Sequence, residues 1–251
     1  MKKRMSLIVV LLICVISVTG CSSCNSGYDT SEVTSNEVIN TTENDNVDNS
    51  ISTEHAEPVA EKKLVVLDPG HQTRDSSEKE PIGPGSSEMK LKDTSGATGV
   101  ATGIREYEVI MTRTQNEGRI SCMERAQVAN NAGADAYVRI HANSVDDSSV
   151  TGAMTICMTS SNPYNSYLYN DSKRLSVDIL DEYCAATGAK KERIWETDTM
   201  SGNNWSQVPV TLIEMGYMSN PNEDRLMATD DYQTKIVNGI ANGVDRYFAG
   251  N

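Results

Sequence analysis

The sequence predicts an α/β fold: one domain with a largely parallel, twisted sheet covered by helices on both faces, preceded by a signal segment and a disordered linker. Three observations predict it. Apolar, β-branched runs recur at residues 63–67, 137–143, 152–158 and 208–215. Segments of helical period lie among them at 121–132, 166–187 and 231–248. Strands alternating with helices favour parallel pairing with helices on both faces.

Residues 1–20 open with Lys2, Lys3 and Arg4, run through apolar residues from Leu7 to Val18 and end on small residues before Cys21. A charged start, a short apolar core and a small-residue end describe a secretory signal, and the run is too short to cross a bilayer comfortably. Val18-Thr19-Gly20-Cys21 resembles the bacterial lipobox. That resemblance implies cleavage before Cys21, a lipid on its sulfur, and a protein held at the outer face of the cytoplasmic membrane. Residues 21–61 then form the linker: nine acidic residues and no Lys or Arg lie between 22 and 61. Low hydrophobicity with charge of one sign cannot offset the entropy of ordering, so this tract is expected to be disordered.

The formal net charge of −13 gives no support to nucleic-acid binding. A monomer is expected. The six cysteines make no disulfide framework. Cys14 leaves with the signal, Cys21 is the expected anchor, Cys24 lies beside it, and Cys122, Cys157 and Cys184 read as small buried hydrophobes.

Residues 62–251 suffice for one domain with a sizeable core. After the first strand, residues 72–103 are rich in Gly, Ser, Thr and Lys and show no clear period. A short strand is expected over 108–113. Ser121 with Glu124 three residues on fits a capping box that opens a helix closing at Gly133. In the helix over 166–187, Leu168, Leu175, Ile179 and Tyr183 lie near helical spacing and Gly188 supplies the stop. The closing helix carries Ile236, Ile240, Val244 and Phe248 on one face.

Two strands end in histidine. Leu67-Asp68-Pro69-Gly70-His71 follows the first, and Arg139-Ile140-His141-Ala142-Asn143 completes another, in a chain with only three histidines. Open α/β sheets bind ligands at the carboxyl ends of their strands, and neutral imidazole suits zinc, so a shared Zn2+ is the sharper reading. The plainer one is two unrelated polar residues at strand ends. His55 lies in the linker. Glu214, set among Leu212, Ile213 and Met215, is expensive to bury and suits a general base and acid, unless it is simply paired to an arginine such as Arg139.

Together, Leu67-Asp68-Pro69-Gly70-His71, Glu106, Arg139-Ile140-His141-Ala142-Asn143 and Ile213-Glu214-Met215-Gly216-Tyr217-Met218-Ser219-Asn220 resemble the zinc-dependent N-acetylmuramoyl-L-alanine amidases of the amidase_3 type. The likeness runs from about Lys63 to Phe248. It implies zinc held by His71, Glu106 and His141, with Glu214 catalytic. It also implies hydrolysis of the amide between N-acetylmuramic acid and the L-alanine of the peptidoglycan stem peptide.

One departure accompanies the match. In that family a helix follows the ligand glutamate, whereas here Glu106-Tyr107-Glu108 runs directly into Val109-Ile110-Met111-Thr112-Arg113. Glu108 and Glu88 are therefore alternative third ligands. Two other functions follow from the departure: a catalytically impaired lipoprotein that binds peptidoglycan or regulates another hydrolase, and a zinc peptidase acting on stem peptides. Trp205 or Trp195, flanking the polar loop at 196–205, is expected either to border a substrate groove or to pack.

Overall fold

A computed structural model describes residues 63–71, 76–93, 96–98, 100 and 120–250. The signal segment, the linker with Cys21, Glu106, Glu108 and the strand expected over 108–113 lie outside the described residues.

The central sheet has five strands, β1 (Val65–Pro69), β4 (Ala136–Asn143), β5 (Ala153–Cys157), β6 (Lys191–Glu196) and β7 (Val210–Tyr217), in the order β1-β4-β7-β5-β6. β1, β4 and β7 are mutually parallel, as are β5 and β6, and only the β5–β7 pair is antiparallel. The carboxyl ends of β1, β4 and β7 therefore share one edge.

Two of the helices carry the end signals legible in the sequence. In α1 (Cys122–Asn131) the Ser121 hydroxyl accepts from the Glu124 N–H at 3.1 Å and the Glu124 carboxylate accepts from the Ser121 N–H at 2.7 Å. This reciprocal box satisfies two otherwise orphaned donors, and Gly133 leaves the helix at φ 59°, where a Cβ would be strained. A 3₁₀ turn (Ser166–Leu168) leads into α2 (Tyr169–Thr187), which Gly188 ends in the left-handed region. α5 (Asp230–Ala249) packs against α2 through Gly243, where a Cβ would lie 2.5 Å from the Cα of Ile179. That approach brings two backbones closer than any larger residue allows.

Three elements were not legible. Residues 76–93 form an antiparallel hairpin, β2 (Lys79–Pro81) and β3 (Met89–Leu91), inside the stretch expected to lack structure. Three-residue strands around Pro81, Gly83, Pro84 and Gly85 are too short to display a period of two. β6 was missed because Lys191, Arg193 and Glu196 give it a polar, edge-like face. The third is α4 (Pro221–Met227), opened by Asn220, whose side chain accepts from the N–H groups of Asn222 and Glu223 at 2.9 and 3.2 Å. A further short turn of helix, α3 (Ser201–Asn204), lies within the polar loop before β7.

The core divides between the sheet's faces. Val138, Ile140, Ala142, Ile213 and Met215 meet Leu175, Ile179 and Tyr183 of α2 and Ile236, Ile240 and Val244 of α5. The opposite face carries a smaller cluster, in which Tyr137 and Val210 meet Ala126 and Ala129 of α1.

Candidate active site

Alternation along the strands decides what reaches the shared edge. Since Val138, Ile140 and Ala142 turn toward α2 and α5, Tyr137, Arg139 and His141 face the other way. Ile213 and Met215 likewise leave Glu214 on that second face. The register sets Asp68 beside Arg139 and His141 beside Glu214. Residues so paired on neighbouring strands lie about 5 Å apart.

Glu214 is half-buried, with its Oε2 shielded from solvent. Ile213 and Met215 belong to the other face. Arg139 is engaged elsewhere: its Nε donates to Asp68 Oδ2 at 3.1 Å and its Nη1 to Asn203 Oδ1 at 3.4 Å.

His71 reaches the same place by a bend. Gly70 N–H donates to the Ile140 carbonyl at 2.7 Å, and His71 then adopts φ 43°, a left-handed conformation uncommon for a residue with a Cβ. Its ring comes within 5.0 Å of the His141 ring, centroid to centroid, with the planes at 83°. Two imidazoles on one tetrahedral ion, each nitrogen about 2.0–2.1 Å from it, would place their centroids about 5 Å apart. The pair therefore fits a shared zinc ion in donor type and in spacing.

Among the described residues no third His, Cys, Asp or Glu joins the pair to form a group able to hold a metal ion. Glu88 is thereby set aside as a ligand. It is exposed on the β2–β3 hairpin, where its N–H donates to Ser86 Oγ at 3.0 Å and its carbonyl accepts from Ile82 N–H at 2.9 Å.

Beneath the edge lies a buried polar network that the sequence reading missed. Asp68 accepts from Arg125 Nη1 at 2.9 Å, the Tyr137 hydroxyl at 2.8 Å and Arg139 Nε. Burial alone would push the Asp68 carboxyl up, but the guanidinium groups of Arg125 and then Arg139 outweigh it and hold the carboxyl below the usual aspartate range. Burial and the neighbouring carboxylate push the Tyr137 hydroxyl well up. One available clue was Arg125 itself, a basic residue four positions before Ala129 on the inward side of α1.

The end of the Glu214 motif is structural. Ser219 Oγ accepts from Val145 N–H at 3.1 Å, and Asn220 Nδ2 donates to the Ser148 carbonyl at 2.9 Å while its oxygen caps α4. These bonds tie the exit of β7 to the loop that follows His141. Of the two places expected for the tryptophans, bordering a groove or packing, Trp205 takes the second. Trp205 packs against the smaller cluster and donates from Nε1 to the Pro81 carbonyl at 2.9 Å. Trp195 sits on the outermost strand, two strands from β7, with the Arg193 guanidinium 5.7 Å from its ring. Cys122, Cys157 and Cys184 are free thiols, and Cys157 is buried as expected.

A mostly parallel sheet thus brings two imidazoles and a carboxylate together at its carboxyl edge. Residues 65–246 match the family Amidase_3, N-acetylmuramoyl-L-alanine amidase, and the chain belongs to that family. It is a peptidoglycan amidase, a cell-wall hydrolase. The chain is 28% identical over 206 residues to the germination-specific N-acetylmuramoyl-L-alanine amidase of Bacillus subtilis, covering 74% of this chain and 80% of that protein. It is 28% identical over 194 residues to the uncharacterized Bacillus subtilis protein YqiI, covering 77% and 88%. Among solved structures, the amidase Ami1 of Mycobacterium smegmatis superposes with a TM-score of 0.65 at 22% identity, covering 75% of this chain and 98% of that one. The latter likeness shows the fold.

Proposed function

We propose that this amidase is zinc-dependent, with His71, His141 and Glu106 holding the ion and Glu214 acting as general base and then general acid. The observation that supports this most is the 5.0 Å separation of the two imidazoles beside the strand position of Glu214. Bound zinc would lower the pKa of a water toward neutrality and stabilise negative charge on the amide oxygen. Glu214 would take a proton from the attacking water as its oxygen bonds to the lactyl carbonyl carbon. The C–N bond then breaks, and Glu214 would return the proton to the departing L-alanine nitrogen. A lipid on Cys21 and the acidic linker would hold the domain on the outer face of the cytoplasmic membrane, within reach of peptidoglycan.

Mass analysis of products from purified peptidoglycan tests the reaction. The expected product is a stem peptide with a free L-alanine amine, and cleavage within the peptide instead would favour a zinc peptidase. A Glu106→Gln variant tests the third ligand. It should bind zinc more weakly than the wild type, and unchanged affinity would remove Glu106 from the site.

A further inference from the structure

The bend that brings His71 to His141 accepts several bonds from one side chain. Arg125 projects from α1 and is buried, with 5% of its surface exposed. Its Nη1 donates to Asp68 Oδ1 at 2.9 Å and to the Pro69 carbonyl, and its Nη2 to the His71 carbonyl at 3.4 Å. Its Nε donates to the Ile120 carbonyl at 3.1 Å, which fixes the plane of the guanidinium from behind. Arg125 thus engages three acceptors within the four residues that lead from β1 to the His71 ring. β4 contributes to the same turn through the bond from Gly70 N–H to Ile140.

A left-handed conformation at a residue with a Cβ is disfavoured and persists only when its surroundings impose it. We propose that Arg125 is a positioning residue: its guanidinium holds the Asp68–His71 turn in the bend that aims the His71 imidazole at His141. The role needs a planar fork. A lysine in its place keeps a positive charge near Asp68 but offers donors from one nitrogen only, so it cannot hold the carboxylate and both carbonyls together. The neighbouring Tyr137 makes the natural comparison, because its hydroxyl bonds the same carboxylate but neither carbonyl of the turn. The inference rests on the zinc reading in one of its measurements only.

The first measurement uses metal-free protein. With three histidines in the whole chain, a histidine-labelled sample gives a simple NMR spectrum. A cross-relaxation peak between the His71 and His141 rings is expected in the wild type and in Tyr137→Phe, and is expected to vanish in Arg125→Lys that retains its circular dichroism. The second is zinc affinity, where loss of a partner that orients a ligand typically costs about 10–100-fold. Arg125→Lys should show that loss and Tyr137→Phe should stay within about twofold of wild type. An unchanged ring–ring peak and unchanged affinity in Arg125→Lys would overturn the proposal. Absence of zinc binding in the wild type would sink the zinc reading, while the ring–ring peak still decides the role of Arg125. Should Arg125→Lys fail to fold, the wild-type guanidinium decides: its Nη protons are expected to resist exchange and to lie near the His71 backbone, and rapid exchange would refute the contact.

Discussion

One face of the sheet presents Val138, Ile140, Ala142, Ile213 and Met215 to two long helices, while the other presents Asp68, Tyr137, Arg139, His141 and Glu214. Adjacent residues of the same strands supply both. The apolar face gains its stability from area removed from water, which is tolerant of direction. The polar face depends on direction throughout, because each buried charge costs free energy unless its partner sits correctly. A period of two therefore lets a single eight-residue strand, β4, serve as scaffold and as site.

This contrast can be broken at chosen points. The largest effect is expected on turnover: Glu214→Gln should lower amidase turnover by about 10²–10⁴-fold while leaving the melting midpoint nearly unchanged. Retained hydrolysis in a peptidoglycan assay would remove Glu214 from the reaction. Next comes Asp68→Asn, which takes the nearest carboxylate from two buried guanidinium groups, leaving Arg125 the more distant Asp93 carboxylate at 3.8 Å, and should cost about 3–5 kcal/mol in urea denaturation at neutral pH.

Asp68 also carries a pH signature. Its carboxyl lies below the free value of about 3.9, so the folded chain binds fewer protons there than the unfolded chain. The stability it contributes is complete above about pH 4 and is lost as pH falls through the folded value. The gap between wild type and Asp68→Asn should accordingly narrow below pH 4, and a gap that is flat with pH would contradict the assignment. The smallest effect belongs to the apolar face. Gly243→Ala forces a methyl group to within 2.5 Å of the Ile179 Cα, backbone that cannot turn aside, and should cost about 1–3 kcal/mol. Zinc uptake by the folded fraction should not change, since α5 and the site lie on opposite faces.

The same contrast explains what the sequence disclosed. The helices on both faces were legible because period and end signals are local: the Ser121–Glu124 box, Gly133, Gly188 and the stripe from Ile236 to Val244 each fall within a few residues. The histidines were legible by rarity and by their place at strand ends. Arg125 and Asp68 were not, because they are 57 positions apart and only the fold joins them. The β2–β3 hairpin escaped for a related reason. Besides its own short ladder it is tied to α1 by bonds such as Cys122 N–H to the Lys92 carbonyl and Met123 N–H to Glu80 Oε1. Trp205 and Trp195 stayed open between two places because an aromatic beside a polar loop reads alike whether it packs or binds.

The proposed mechanism needs two imidazoles on the polar face to share one zinc ion. Calorimetric titration of zinc into metal-free wild type, His71→Ala and His141→Ala measures that sharing. One site per chain is expected in the wild type, lost in each variant without loss of fold. No site in the wild type, or a site that survives removal of either histidine, would contradict it.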